Sequence, residues 1–382
     1  MSSNLIYRAF LKFLRILIVF FTKLDRKKII LIVESHSGSN TLALSKLFSL
    51  KVKENFKIEV LYDNTNTNII DYIKKYHKIA KSKYIFTTHA SYKPSKNHIH
   101  FQLWHGAFLK KNGIMLTQKN QNYIEKQKSW HRADYVLSYS ETYTTFMNAC
   151  MCINPNKYLI FGAPRNDFFF LENSRNKLSK ILNYDIKEKK IILYMPTFNE
   201  EKNSIFLEND NIFSFNKWDI NQFQSFLKTN NYILLIKSHP FYSNINITKG
   251  LKDNILFINE SNLQKANIDL YEIMNSVSLL ITDISSIFYD FLLLNKPILF
   301  ISTSLQNHIS NRGLLIESYE DYVPGPKISN QESLFVELEK LLNNPNYFSF
   351  ERNYMKMFMH RFKDGNSTKR ISNFLLEIAN IK

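Results

Sequence analysis

The chain has 382 residues, 45% hydrophobic and 14% aromatic, which excludes a disordered polymer and points to two folded domains, since one core rarely organises more than about 300 residues. The formal charge of +17 asks for an anionic partner (nucleic acid, anionic lipid or a phosphorylated substrate) without choosing among them. Eight glycines, with no G-x-G-x-x-G and no Walker A sequence, exclude the glycine-rich phosphate cradles, so a phosphate site must use hydroxyls, cations and helix ends.

Residues 4–28 are apolar with basic interruptions. Arg8, Lys12 and Arg15 share one helical face, and the longest apolar run, Ile16 to Phe21, is far short of the roughly 20 residues a membrane span needs. No small-residue cleavage site follows, so no secretory signal is expected. Seven Lys/Arg and one Asp within residues 1–30 fit an amphipathic helix on anionic lipid; docking on the protein's own core is the alternative.

From Lys28 the pattern alternates. Lys28–Val33, Ile58–Tyr62 and Tyr84–Thr88 read as strands, with a polar turn at Glu34–Asn40 and helices from Thr41 and over Ile69–Lys81, the pattern of a Rossmann-like α/β domain. His36 in the first turn could contact a ligand or sit on the surface. Ile99–Trp104 is a strand with His105 and Gly106 at its carboxyl end, where open α/β sheets bind ligands. A histidine there suits a general base, its ordinary pKa lying near 6.5, or a hydrogen-bonded turn. Ala133–Tyr139 and Tyr158–Gly162 are further strands, and Leu171–Lys190 reads as a polar bridge between halves. Cys150 and Cys152 are too close together for a structural staple and have no partners for a zinc site, so a reducing compartment fits.

The second half repeats the organisation without repeating the sequence. Lys190–Tyr194 and Tyr232–Lys237 are strands ending in Pro196-Thr197 and Ser238-His239-Pro240, with residues 199–217 as a loop and a helix over Gln222–Asn230. Ser278–Ser302 reads as strand, polar loop, helix and strand, a right-handed βαβ unit. Ser285 and Ser286 in its loop either cap the helix or offer hydroxyls to a phosphate. Glu332–Leu342 and Ser367–Ile378 are helical.

Gln102-Leu103-Trp104-His105-Gly106 with Leu109-Lys110-Lys111 resembles the Q-x-W-H-G-x-x-L-K-K segment of bacterial CDP-glycerol glycerophosphotransferases, enzymes of teichoic acid and related capsule polymer synthesis. The likeness continues in family order through Gly162-x-Pro164-Arg165-Asn166-Asp167, Pro196-Thr197-Phe198, Lys237-x-His239-Pro240, Asp283-x-Ser285-Ser286, Lys296-Pro297, Pro324-Gly325-Pro326 and Asp364-Gly365-Asn366. It spans roughly residues 75–375. One departure stands beside the histidine: the family often has Thr-Pro where this chain has Ala107-Phe108.

The resemblance implies a GT-B-like α/β fold, two Rossmann-like domains with the active site in the cleft between them. It implies transfer of a polyol phosphate, glycerol phosphate foremost, from a CDP-activated donor to a lipid-linked or growing glycan, with release of CMP. It makes His105 the base and His239 the group that polarises the donor phosphates, with Lys237, Ser285, Ser286, Arg165 and Thr197 around the diphosphate. Arg165 could instead pair with Asp167, Thr197 could hold turn backbone, and Asp283 could cap the helix or orient His239. The expected domains are an amphipathic helix at 1–28, an acceptor domain at 29–175, a donor domain at 176–350 and a helical tail at 351–382. No metal, cofactor or nucleic acid is expected, and the enzyme is placed peripherally at the cytoplasmic face of the membrane. A GT-B nucleotide-sugar glycosyltransferase of capsule assembly and a non-catalytic assembly factor are the competing readings.

Overall fold

The computed structural model describes residues 2–63, 68–107, 109–116, 130–197, 211–237, 254–303, 305, 313–317 and 319–381. The chain forms two compact units. Unit 1 comprises Met1–His105, Gln118–Asp167 and Asp364–Lys382; unit 2 comprises Gly106–Thr117 and Phe168–Lys363.

Unit 1 is built on six parallel strands: β1 (Asp25–Val33), β2 (Lys57–Tyr62), β3 (Ser82–Thr87), β4 (Ile99–Gln102), β5 (Tyr135–Ser138) and β6 (Tyr158–Ile160), in the order β2-β1-β3-β4-β5-β6. Ile29–Val33 are all buried, as a central strand covered on both faces requires. Its helices are α1 (Ser2–Phe21), α2 (Asn40–Leu47), α3 (Leu50–Asn55), α4 (Ile69–Lys81) and α5 (Glu141–Met151). Four of them open with a side-chain cap: Ser39, Ser49, Asn68 and Ser140 each accept the N–H of the third helical residue.

The N-terminal helix is shorter than the pattern suggested. α1 stops at Phe21, and residues 25–28 open β1 instead. Leu11, Leu14 and Ile18 are half-buried on the side that meets α4, where Arg15 donates to the Tyr72 hydroxyl and lies over the Tyr76 ring at 5.3 Å. Ile6, Phe10, Phe13 and Phe20 form a second apolar stripe, exposed. The helix therefore has one docked and one open apolar side. Among the described residues no helix is long and apolar enough to cross a membrane.

Unit 2 has its own parallel sheet: β7 (Lys190–Met195), β8 (Tyr232–Lys237), β9 (Ile255–Ile258), β10 (Leu279–Thr282), β11 (Ile298–Ile301) and β12 (Lys327–Ile328), ordered β12-β11-β10-β7-β8-β9. Around it lie α6 (Ser174–Leu182), α7 (Ile220–Thr229), α8 (Glu260–Ala266), α9 (Tyr271–Met274), α10 (Ile287–Phe291), α11 (Gln331–Asn343) and α12 (Ser349–Met359). α6 falls inside the stretch read from sequence as a polar bridge. Leu178 on its inner side is fully buried, and one such residue among lysines and asparagines is too faint a periodic signal to read.

The last helix, α13 (Ser367–Ile378), returns to unit 1. Ile371, Leu375 and Leu376 join a core containing Leu31, Phe86, Phe101 and Leu137. Its first N–H groups, from Ser367 and Thr368, donate to Asp167 at 2.9 and 2.7 Å. Burial raises the Asp167 pKa, and these two amide bonds oppose that shift.

Candidate active site

In a parallel α/β sheet the carboxyl ends of the strands carry the ligand chemistry, and both units concentrate their polar side chains there. In unit 1 the decisive residue is Trp104. β4 ends at Gln102, two residues earlier than the apolar run implied, because Trp104 adopts a left-handed backbone with φ of 56°. For a bulky residue this conformation costs about 1–2 kcal/mol and persists only where neighbours over-determine it. They do so here. Asn40 Nδ2 donates to the carbonyls of Leu103 at 3.1 Å and Trp104 at 2.9 Å, and the Trp104 N–H donates to Gln102 Oε1 at 3.1 Å. The Trp104 ring stands edge-on to Trp130 with centroids 4.7 Å apart.

This turn aims the exposed His105 ring. Its Nδ1 donates to the Thr88 carbonyl at 3.2 Å, and since a carbonyl only accepts, the lone pair of the neutral ring lies on Nε2. Arg165 holds the same turn from behind. Its guanidinium donates to the carbonyls of His105 at 2.7 Å and Gly38 at 3.1 Å and to the Tyr139 hydroxyl at 3.2 Å, while its backbone N–H donates to Asn40 Oδ1. Arg165 is 4% exposed. These bonds tie it to the His105 turn, to Gly38 and to Tyr139, while Asp167, the suggested partner, accepts two N–H groups of α13.

In unit 2 the corresponding edge is organised by Asp283. Its carboxylate accepts the Thr197 N–H at 2.9 Å, the Thr197 hydroxyl at 2.6 Å and the Ser285 N–H at 3.0 Å, tying the turn after β7 to the turn after β10. Asp283 is thus an internal strut and does not cap α10. Ser286 occupies the N-cap position of α10 but makes no side-chain capping bond, and that helix is only five residues long. Both serine hydroxyls remain at the sheet edge. A Cβ added at Gly106 would sit 3.0 Å from Ser286 Oγ, so a side chain at Gly106 would crowd that hydroxyl.

Lys110 brings a positive charge to this edge. The stretch around it pairs with residues 313–315, through Lys111 N–H to Gly313 O at 3.0 Å and Leu315 N–H to Leu109 O at 2.9 Å, and its Nζ donates to Thr197 Oγ1 at 3.4 Å. Lys237 ends β8, next to β7 in the sheet; its ammonium lies 3.6 Å from Glu260, and burial lowers its pKa. His239, with Ser238 and Pro240, lies outside the described residues. Unit 2 therefore brings together Thr197, Asp283, Ser285 and Lys110, with Ser286 beside Gly106 and Lys237 one strand away.

Other parts of the motif set serve packing. Lys296 Nζ donates to the carbonyls of Asn275 and Val277. A Cβ at Gly325 would fall 2.0 Å from the Ile298 carbonyl, so the Pro-Gly-Pro segment lets backbone lie directly against β11. Asp364 pairs with Arg370. Among the described residues no group of three or more His, Cys, Asp or Glu could hold a metal ion.

The model of the CDP-glycerol:poly(glycerophosphate) glycerophosphotransferase family matches residues 15–377. The chain belongs to this family. It is 30% identical over 279 residues to the teichoic acid glycerol-phosphate primase of Bacillus subtilis, covering 72% of this chain and 67% of that one. It is 28% identical to the teichoic acid poly(glycerol phosphate) polymerase of Bacillus spizizenii, over 92% of this chain and 93% of that one. Solved structures of the wall teichoic acid polymerase TagF share its fold, one with a TM-score of 0.78 at 18% identity, covering 99% of this chain and 96% of that one. The GT-B-like α/β architecture of this glycerophosphotransferase is thereby established.

Sequence reading of the glycerophosphotransferase passed over two residues at the unit 1 edge. Glu34 follows β1 and His89 follows β3 by two residues; the order β1-β3-β4 sets His89 beside His105 and Glu34 beside His89. The first polar residues after each parallel strand were the available signal.

Proposed function

We propose that this enzyme transfers glycerol phosphate from CDP-glycerol to a hydroxyl of a teichoic-acid-like acceptor. The acceptor oxygen attacks the glycerol-bearing phosphorus, the bond from that phosphorus to the bridging oxygen breaks, and CMP leaves with the bridging oxygen. The acceptor proton passes to His105 Nε2. Ser285, Ser286 and Lys110 stabilise charge on the donor phosphates, with Lys237 and His239 assigned to the same task, while Thr197, whose N–H and hydroxyl donate to Asp283, holds the turn beside them and accepts from Lys110. Arg165, whose guanidinium donates to the His105 carbonyl, is assigned to holding that turn.

The observation that carries this reading is the W-H-G turn, in which a left-handed tryptophan and the Thr88 carbonyl present a fixed histidine tautomer at the carboxyl end of the sheet. Incubation with CDP-glycerol, CDP-ribitol and a lipid-linked acceptor tests it. CMP and a phosphodiester-linked product are expected with CDP-glycerol; CMP from neither donor overturns it, and a product without phosphodiester would favour sugar transfer.

The same proposal places the enzyme on the cytoplasmic face of an anionic membrane through α1. The exposed stripe of Ile6, Phe10, Phe13 and Phe20, flanked by Arg8 and Lys12, supports this. Co-sedimentation with phosphatidylglycerol vesicles should be lost when Phe10 and Phe13 are both changed to Asp; undiminished binding would remove α1 as the anchor.

A further inference from the structure

The His105 ring has a neighbour that the transfer reaction, as described, does not use. His89 lies face to face with it, ring centroids 3.8 Å apart and planes 7° from parallel. His89 is itself held. Its Nδ1 lies 2.6 Å from Glu34 Oε2 and 2.9 Å from the Thr88 hydroxyl, and its carbonyl accepts Trp130 Nε1–H at 2.8 Å. Glu34 is fixed in turn by the Ala90 N–H, which donates to its other oxygen at 2.9 Å. Three adjacent strands, β1, β3 and β4, thus contribute Glu34, His89 and His105 to one edge.

We propose that Glu34 and His89 are positioning residues for His105. An exposed imidazole can swing about its side-chain torsions, and such a ring presents its lone pair over a broad arc. Proton transfer needs the accepting nitrogen within hydrogen-bond reach of the hydroxyl, so confining that arc contributes directly to rate. The flat face of His89 supplies the confinement. Trp104 closes in on the same ring with centroids 4.4 Å apart, at a tilt of 33°. The Glu34 carboxylate keeps the His89 plane in register, so the order of control runs from Glu34 through His89 to His105. A role confined to stability fits poorly, because the His89 side chain is 44% exposed and a stabilising contact is worth most when water is excluded from it.

The inference rests on His105 as the proton acceptor, and the experiment separates the two. The full chain, labelled with 15N-histidine, is prepared as wild type, His89→Ala, His89→Phe, Glu34→Gln and His105→Ala. The last variant assigns the His105 ring signals by their loss and tests the acceptor role by CMP release. His89→Ala should lower kcat about 30-fold while the KM for CDP-glycerol stays within about twofold, and should move the His105 ring-nitrogen signals away from the single Nδ1–H tautomer. His89→Phe should recover kcat to within about threefold, since a flat ring still backs His105, and Glu34→Gln should fall between. Unchanged His105 signals in His89→Ala, a kcat within about twofold of wild type, or a His89→Phe variant as slow as His89→Ala would each overturn the proposal. Full turnover by His105→Ala would instead overturn the acceptor reading, and the ring signals would still report whether His89 sets the His105 plane.

Discussion

The carboxyl edges of the two sheets are built on opposite principles. In unit 1 many groups converge on one turn: Asn40, Gln102, Arg165 and Thr88 each bond to the segment that ends in His105, and Tyr139 holds Arg165. In unit 2 a single carboxylate, Asp283, holds two turns, and the groups at that edge are several small hydroxyls and a lysine. The difference follows from the chemistry assigned to each. A proton acceptor works from one atom in one place, whereas stabilisation of phosphate charge is shared among donors, each worth a fraction of the whole. Loss of one unit 1 contact should therefore be felt in turnover, and loss of one unit 2 hydroxyl mainly in donor affinity.

That contrast can be broken by substitution. His105→Ala should lower kcat about a thousandfold with CDP-glycerol binding retained, as measured by CMP release and titration calorimetry. Arg165→Lys keeps the charge but loses the planar fork that reaches two carbonyls and a hydroxyl; kcat should fall about 100-fold with KM for the donor little changed. If Arg165→Lys raised KM instead, the arginine would belong with the donor phosphates and the contrast would fail. Asp283→Asn leaves one oxygen to serve Thr197 and Ser285, and the donor KM should rise about tenfold with a smaller change in kcat.

The smallest effect is on stability alone. His100 is fully buried beneath the unit 1 edge, bonded through Nε2 to the Thr87 hydroxyl at 2.9 Å, and burial pushes its pKa down to about 3. In the folded chain it stays neutral, while the unfolded chain takes up a proton below about 6.5, so stability is lost as pH falls from 6.5 towards 3. Urea melts between pH 7 and pH 4 should show a shallower acid loss for His100→Gln than for wild type. Equal slopes would mean that other groups set the acid limb.

Much of the fold was legible because parallel strands buried on both faces leave unbroken apolar runs. The strand Tyr232–Lys237 carries the same bounds in pattern and in structure, as do the helices Ile69–Lys81 and Ser367–Ile378, whose apolar faces keep the helical period. Strand ends were harder, since Trp104 is apolar and β-favouring yet turns the chain out of β4. The motif set announced a site without dividing its members by task. Lys296, Gly325 and Asp364 serve packing and ion pairing, and Arg165 acts on a turn, because a motif records which residues recur and not what they touch. Glu34 and His89 escaped notice because 55 positions separate them and only the strand order makes them neighbours.

The Asp167-capped helix α13 has a consequence for how the chain is made. It supplies Ile371, Leu375 and Leu376 to the unit 1 core, yet it follows all of unit 2 in the chain. On a ribosome adding 5–20 residues per second, the about 200 residues from Phe168 to Lys363 take about 10–40 s to appear. Throughout that interval the unit 1 sheet has its six strands but lacks part of the cover over Phe86 and Phe101. Unit 2, begun later, is the first to have all its segments made. The nascent chain therefore carries an open apolar surface for most of its synthesis, and chaperone engagement should peak before residue 367 and end once α13 has docked.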